Sequence, residues 1–467
     1  MMTGLIPEKE LSRRSFLRRG GALVVGFSLG GSLLAGKASA TVPTGAMTGY
    51  LPDVTQVDSW LSVLPDSSVV FKTSQVDVGG GVTTGLAQIV AEELDADVNL
   101  VRHVPWDTWN LVNSGSSGGS TGIQSSAGPP LRSAAATARQ ALLNMASASL
   151  GVPVASLSVS NGTVSGGGKS VTYGQLIGGK LINAKIATAN LGPGQGISKP
   201  VGSYKVVTTF VPRIDIPAKA AGTYTYVHNI RIPGMWHVRV VRPRGQGPFG
   251  TGAPIVSIDP SSISHIPGAQ LVRQGDFLAV IAPLEFDAIQ AAAQLKVTWK
   301  DTAGLPTPGN LYKQMRAQDS AGQAKAVFTV NNGNIDAGLN SAAKTVSSTY
   351  TYQNGTRGVI GPACSVADVK PGSATIWTST QAPMTVVTSV AGDLGIPAQN
   401  VRVFWYEGSS SYGSAQSSSD TPRAAALISK LTGKPVRLQY MRWDEHGWDN
   451  YQSAMLIDVR GGADMSV

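Results

Sequence analysis

The sequence predicts a multidomain protein of mixed α+β and α/β type. Three observations support this fold class. The chain of 467 residues is long enough for two to four domains, its 55 glycines indicate many loops, and only 14% of its residues are charged. Strand-like and helix-like segments also follow one another along the chain. This composition is not typical of a coiled coil or a disordered chain.

The first forty residues have the features of an export signal. Arg13 and Arg14 precede Ser-Phe-Leu, an apolar run extends from Gly21 to Ala35, and residues 38–40 (Ala-Ser-Ala) form a small-x-small cleavage site. This layout is typical of a signal peptide, and the arginine pair indicates the twin-arginine route. An uncleaved membrane anchor is disfavoured because the apolar run of about 15 residues is shorter than the roughly 20 that are needed to span a bilayer. We therefore expect residues 1–40 to be removed and the protein to be periplasmic or on the cell-envelope side.

Much of the positive charge belongs to this signal. The chain carries a net charge of +9, and residues 1–40 contain six basic and two acidic side chains, which leaves +5 for the remainder. No dense Lys/Arg cluster follows, so no nucleic-acid partner is expected. No later stretch approaches the length of a membrane span, and none is expected.

Cysteine and histidine usage restricts the metal chemistry. The one cysteine, Cys364, permits no internal disulfide, and an iron–sulfur cluster usually takes four cysteine ligands. No iron–sulfur cluster is therefore expected in this chain. The five histidines lack zinc-site spacing, so we expect structural roles for them and no metal bound directly by protein side chains.

Residues 41–60 are predicted to be a linker, followed by an α/β segment over 61–198. A strand at 68–72 leads into a glycine-rich turn, and apolar spacing predicts a helix from Thr84 to about Asp95. Such a turn places backbone N–H groups at a helix N-terminus, where anions bind well. A polar Ser/Gly loop, 113–128, then precedes a helix predicted from Pro129 to Leu150, and a hairpin and a short helix end the segment.

Residues 199–305 change character and are predicted to form a separate α+β domain with one helix near its end. From 306 to 467 the sequence returns to α/β character, with helices predicted at Met384–Leu394 and Thr421–Leu431 and a second Ser/Gly loop at 408–419. The strands predicted in these two segments are Met235–Val241, Phe277–Ile281, Lys296–Trp299, Ala374–Trp377, Val401–Trp405 and Pro435–Met441.

Three motifs are misleading. Gly166–Ser170 resembles a phosphate-binding loop, but Thr163 stands where the first glycine is needed and no helix follows, so a hairpin is predicted. Gly115–Gly119 fits G-x-S-x-G inside a Ser/Gly tract, without the strand and helix of a nucleophile elbow. Asp444 and Glu445, as neighbours on a strand, would point to opposite faces and form no acid/base pair.

Several segments in order resemble one family. Val76–Leu94, Ser120–Ser125 and Pro130–Arg132 resemble the first cofactor-binding segments of the molybdopterin-binding large subunit of the xanthine dehydrogenase/aldehyde oxidase family. The exported bacterial type, such as the isoquinoline 1-oxidoreductase β-subunit, is the most similar. Pro233–Arg239 and Ile266–Ala269 resemble the hammerhead domain of that family.

A third block strengthens the resemblance. Trp377–Gln381, Glu407–Gly413 and Gly433–Trp448 resemble the region in which a Thr-Gln pair and a glycine-rich loop with an aromatic residue flank the molybdenum. The fold implied is a pair of molybdopterin-binding segments, 61–198 and 306–467, which flank a hammerhead domain at 199–305. The second segment would be incomplete at its C-terminus.

The resemblance implies a molybdenum hydroxylase large subunit that oxidises an aldehyde or N-heterocycle at a C–H carbon, with water as the oxygen source. The implied cofactor is molybdopterin cytosine dinucleotide, and the implied partners are a small [2Fe-2S] subunit, a small-molecule substrate and, as a candidate acceptor, a cytochrome c. Gln381 would hydrogen-bond a molybdenum ligand and Tyr412 would pack beside the substrate channel. The residues implied to contact pterin or its phosphates are Gly79, Gly81, Thr83, Ser120, Thr121 and Gln124.

The sequence departs from the family at three points. Gly80 stands where the family usually has Gln, which removes one amide donor to the cofactor, and the aromatic loop is rich in Ser rather than all Gly. The chain reaches Val467 without the Gly-x-Gly-Glu-like motif that carries the family's catalytic glutamate, so no catalytic residue is assigned. The remaining region would then be lost or belong to a separate chain. The alternative function is a truncated, inactive fragment or an exported Ser/Gly-rich binding protein.

Overall fold

The computed structural model describes residues 52–243, 254–300, 309–320, 322, 330–356, 358–412, 420–448 and 451–464. The predicted export signal lies outside these described residues, as does most of the predicted linker. All described residues belong to one compact unit. Within them, no helix has the length and apolar character that crossing a bilayer requires.

The described ranges contain both helices and strands throughout, which confirms the mixed α+β and α/β class predicted from the sequence. The helices are α1 (Val57–Trp60), α2 (Val82–Leu94), α3 (Gly128–Leu150), α4 (Tyr173–Ile177), α5 (Ile216–Ala220), α6 (Glu285–Gln294), α7 (Leu311–Ser320), α8 (Ile335–Ser341), α9 (Pro383–Leu394), α10 (Asp420–Thr432) and α11 (Arg442–Trp448). The strands are β1 (Leu61–Val63), β2 (Val69–Phe71), β3 (Val101–His103), β4 (Ser158–Ser160), β5 (Thr163–Gly166), β6 (Lys169–Thr172), β7 (Trp236–Val240), β8 (Ile255–Asp259), β9 (Gln270–Gln274), β10 (Phe277–Ala282), β11 (Lys296–Trp299), β12 (Lys344–Tyr352), β13 (Cys364–Lys370), β14 (Ser373–Thr378), β15 (Val401–Trp405), β16 (Val436–Gln439) and β17 (Met455–Ala463).

The first hydrophobic core lies between the sheet β1–β2–β3 and the helices α2 and α3. β2 pairs antiparallel with β1 and parallel with β3. α2 contributes Leu86 and Val90 and α3 contributes Leu131 and Leu142, all of which are buried. These residues recur at helical spacing, so the apolar periodicity correctly predicts both helices.

The end of the predicted linker belongs to this core. Val57 and Trp60 lie three residues apart on α1, and both are buried. The Trp60 indole Nε1 donates a hydrogen bond to the Val54 carbonyl at 2.9 Å. The linker prediction for 41–60 is therefore wrong at these residues, because two apolar side chains on one helical turn face the same core.

A seven-stranded mixed sheet forms the centre of the second half, in the order β15-β14-β13-β16-β7-β10-β9. It combines strands from 199–305 with strands from 306–467. The two groups meet where β16 pairs parallel with β7, with Val436 opposite Trp236 and Leu438 opposite Val238. The prediction of a separate domain over 199–305 does not hold for this sheet, because the free edge of β7 is satisfied by backbone hydrogen bonds from β16.

An ion cluster reinforces the joint between β16 and β7. Glu285, the first residue of α6, accepts hydrogen bonds from Arg239 on β7 and Arg437 on β16, each at 2.8 Å. Both arginines are almost fully buried. Burial alone would raise the pKa of the Glu285 carboxyl, but the two guanidinium groups override it and lower the pKa from 4.5 to about 2.

Replacing Glu285 with Gln should lower the free energy of unfolding by about 2 kcal/mol, since it leaves two buried guanidinium groups without their counter-ion. A depressed pKa stabilises the fold above about pH 4.5, and that contribution is lost as the pH falls toward 2. Urea unfolding between pH 3 and 7 should show a weaker pH dependence in Glu285→Gln than in the parent. Asp393→Asn, which breaks an exposed pair with Arg423, should change stability by less than about 1 kcal/mol. Equal losses in both variants would contradict this role.

Outside the central sheet, β12 and β17 form a two-stranded antiparallel ribbon, with Lys344 opposite Ala463 and Tyr352 opposite Met455. Tyr350 and Ile457 stand opposite each other on its exposed apolar face. The remaining sheets are the antiparallel pair β11–β8 and the meander β4–β5–β6.

The structure also decides two of the misleading motifs. Gly166 and Lys169 close the hairpin β5–β6, which confirms that this sequence is not a phosphate-binding loop. Asp444 and Glu445 lie on α11. The prediction that they are neighbours on a strand, with side chains on opposite faces, is therefore wrong. Each has a structural partner: Asp444 accepts from the Met441 amide at 2.9 Å, and Glu445 accepts from the Ala363 amide at 2.7 Å.

Candidate functional site

The side chain of Gln381, just after β14, connects both predicted Ser/Gly loops. Its Nε2 donates to the Ser117 carbonyl at 2.7 Å, and its Oε1 accepts from the Ser411 hydroxyl at 3.0 Å. The Ser117 amide in turn donates to the Gln381 carbonyl at 2.8 Å. All three residues are buried. We call Gln381, Ser117 and Ser411 the glutamine junction.

The first Ser/Gly loop is anchored on its inner side and exposed on its outer side. The Val76 amide donates to the Ser117 hydroxyl at 2.6 Å, and the Gln75 side chain donates to the Ser114 carbonyl at 2.9 Å. Beyond these anchors the chain forms a π-helical turn, Gly122–Ser126, that leads into α3. Three predicted site residues on this outer side are exposed, namely Ser120, Thr121 and Gln124. The loop therefore presents hydroxyl and amide groups from a fixed base.

The glycine-rich turn before α2 already holds a carboxylate. The Asp77 carboxylate accepts from the amides of Gly79 and Gly81, at 3.0 and 3.1 Å, and from the Thr83 amide at 3.1 Å. Both glycines have positive φ, 97° and 78°, which a side chain would disfavour. A phosphate could reach these three amides only if Asp77 turned away. Sequence reasoning missed Asp77, although an acidic residue shortly before a helix is a typical capping signal.

A chain of ion pairs connects this turn to the segment before the second Ser/Gly loop. Arg213 donates to the Gly79 carbonyl at 2.7 Å and pairs with Asp215. Lys219 lies 2.6 Å from Asp215 and 2.7 Å from Glu407. Burial would raise the pKa of the Asp215 carboxyl, but Arg213 and Lys219 lower it to about 2. At Glu407 burial prevails over Lys219 and raises the pKa.

Tyr412 occupies an unusual position next to the glutamine junction. Its side chain is 57% exposed, and its backbone φ of 48° lies in the left-handed region. Its neighbour Ser411 is buried against Gln381. The structure thus brings Tyr412 to the surface beside the junction, and its contact with a substrate channel stays a prediction. Residues 413–419 of the second loop lie outside the described residues.

Metal-ligating side chains do not gather in the described part of the chain. There, no group of three or more His, Cys, Asp or Glu residues is arranged to hold a metal ion. The Cys364 thiol is buried, and burial raises its pKa to about 11, so it is protonated at neutral pH. A neutral thiol is a poor metal ligand and a poor nucleophile.

Replacing Gln381 with Ala should lower the free energy of unfolding by about 2 kcal/mol, because it removes both hydrogen bonds and leaves their partners buried. Hydrogen exchange should accelerate in residues 113–121. Gln140→Ala is a matched control, since Gln140 is exposed on α3 and bonds only to Asn144 through its side chain in the described structure. If both variants behave alike, the glutamine junction does not hold the loops.

Comparisons with known proteins identify two matching families. One, described as a molybdopterin cofactor-binding domain, matches residues 318–466, and another of the same description matches residues 23–264. The chain is 36% identical over 439 residues to a subunit of the nicotinate dehydrogenase of Pseudomonas putida, covering 91% of this chain and 36% of that protein. It is 26% identical over 338 residues to the isoquinoline 1-oxidoreductase β-subunit of Brevundimonas diminuta, covering 63% of this chain and 41% of that protein.

A further relative is the membrane-bound aldehyde dehydrogenase (pyrroloquinoline-quinone) of Gluconacetobacter polyoxogenes. It is 26% identical over 425 residues, covering 87% of this chain and 53% of that protein. Among solved structures, quinoline 2-oxidoreductase from Pseudomonas putida 86 superposes with a TM-score of 0.44 and 19% identity, covering 55% of this chain and 37% of that one. The chain thus spans between 36% and 53% of the length of these three curated relatives.

Proposed function

Because the chain belongs to the family of molybdopterin cofactor-binding domains, we propose that it acts as the large subunit, or as part of the large subunit, of a molybdenum-dependent oxidoreductase. The proposed reaction is oxidation of an aldehyde or an N-heterocycle at a C–H carbon, with water as the oxygen source. One observation carries the proposal. The glutamine junction joins Ser117, in one matched range, to Gln381 and Ser411 in the other.

The exposed residues around the junction fit a pterin dinucleotide. Such a ligand carries a pyrophosphate and needs many N–H and hydroxyl donors with little side-chain bulk. Ser120, Thr121 and Gln124 supply donors on the exposed face of the first loop. At Gly79 and Gly80, an added Cβ would meet no atom within 4 Å. This open space, with no side chain in it, would admit a bulky ligand.

Gln381 itself retains a donor for a ligand. A side-chain amide has two N–H groups, and among the described residues only the Ser117 carbonyl accepts from Nε2. The second N–H can donate without loss of the junction. Gln381 would thus hold a ligand atom and the two loops at once. When bound, the cofactor would supply the two-electron redox chemistry that protein side chains do not provide.

Partners and location form part of the same proposal. We infer the cytosine dinucleotide form of the cofactor, a small [2Fe-2S] subunit and a cytochrome c acceptor. The single cysteine supplies too few ligands for a cluster, which supports a partner subunit that carries it. The relatives named above as subunits support a multi-subunit enzyme. The pair Arg13-Arg14 supports export by the twin-arginine route, which carries folded proteins to the periplasmic or cell-envelope side.

Metal analysis tests this proposal. The 467-residue chain, purified after co-expression with a small iron–sulfur subunit, should contain about one molybdenum per chain, and acid hydrolysis should release a cytosine nucleotide. The double variant Ser120→Ala, Thr121→Ala should lose most of the molybdenum, because two phosphate donors are removed. Ser165→Ala, at an exposed position of β5, is the matched control. A chain that folds but contains no molybdenum under these conditions would overturn the proposal.

A further inference from the structure

An aromatic cleft of about 270 Å³ lies beside the ion-pair chain. It is lined by Pro105, Trp106, Tyr224, Thr225, Phe404, Trp405, Tyr406 and Glu407. Five of these eight residues are aromatic, and Glu407 contributes a carboxylate. None of the residues predicted to hold the cofactor lines it, so a ligand in this cleft would be additional to the cofactor of the proposed function.

The walls of the cleft are fixed in place by contacts between distant segments. The Trp405 amide donates to the Trp106 carbonyl at 3.2 Å, and the two indole rings lie 4.7 Å apart. The Trp106 Nε1 donates to the Gln75 carbonyl at 2.7 Å. Asp107, which follows Trp106 in the sequence, pairs with Arg402 on β15 at 2.5 Å. A cleft with walls held this way loses little freedom when a ligand enters.

The polar end of the cleft carries an excess of negative charge. Glu407 is buried, and Lys219 pairs with both it and Asp215. Arg213 pairs with Asp215 and lies near Asp77 and Glu407. These three carboxylates face two cations, which leaves a net charge of one minus. Lys219, which pairs with Glu407, also lies over the Tyr224 ring, with its Nζ 4.9 Å from the ring centroid, so this ion cluster directly contacts one wall of the cleft.

We propose that this cleft binds a flat organic cation of one or two aromatic rings. Aromatic faces attract cations through their quadrupoles, most strongly when water is excluded. A net negative charge at Glu407 adds to that attraction and opposes an anion. A volume of about 270 Å³ lies at the lower end for small-molecule pockets, which suits one or two rings.

Calorimetric titration of the full 467-residue chain with three matched probes tests the proposal. N-methylquinolinium carries the charge, quinoline at pH 8 is its neutral counterpart and quinoline-2-carboxylate is the anionic one. The cation should bind about tenfold more tightly than the neutral probe, and the anion should bind most weakly. Equal affinities for the three probes, or no heat with the cation at millimolar concentration, would overturn the proposal.

Variants locate the binding. Glu407→Gln should weaken binding of the cation about tenfold and leave the neutral probe unchanged. Asp393→Asn, a carboxylate-to-amide change in an exposed pair outside the lining of the cleft, should alter neither. If Glu407→Gln does not fold, as judged by circular dichroism, the same titration with the cation is carried out on Tyr224→Leu. Loss of cation binding in that variant with retained folding supports the site, and full retention of cation binding in either folded variant refutes it.

Discussion

The side-chain amide of Gln381 is the contact on which the arrangement of the site depends. It joins Ser117 to Ser411, and 264 residues separate Ser117 from Gln381 along the chain. Ser/Gly loops have a high conformational entropy, so their order must come from specific contacts. A buried amide that both donates and accepts supplies such a contact at each loop. The outer residues, Ser120 and Thr121, can then stay exposed while their backbone is fixed.

A second connection acts through charge. The Asp77 carboxylate holds the glycine-rich turn, Arg213 bonds to the carbonyl of Gly79 in that turn, and Lys219 carries the chain of contacts on to Glu407. These groups come from three separate parts of the sequence, and most are shielded from water. Because buried charges interact more strongly than exposed ones, the network resists separation of the glycine-rich turn from the segment before Tyr412.

Local patterns in the sequence predict the elements well and their assembly poorly. The apolar spacing of α2 is present in its own thirteen residues, and the predicted resemblance to molybdenum-binding subunits of the xanthine dehydrogenase family is confirmed by the matched ranges. The pairing of β16 with β7 and the ribbon β12–β17 depend on residues that lie far apart in sequence, and no local periodicity encodes such pairing. The role of Asp77 was missed because the glycines beside it are equally typical of a site for an external anion. Gln381 was chosen through the resemblance, whereas its two loop contacts emerge only from the structure.

The parallel pair β16–β7 has a consequence for synthesis. β7 finds its neighbour β10 soon after translation, but its other edge waits for Val436–Gln439, about 200 residues later, which at 5–20 residues per second takes roughly 10–40 s. For that time the nascent chain exposes an unpaired apolar strand edge, a template for aggregation. The ribosome-bound chain is thus a natural client for chaperones until β16 has emerged.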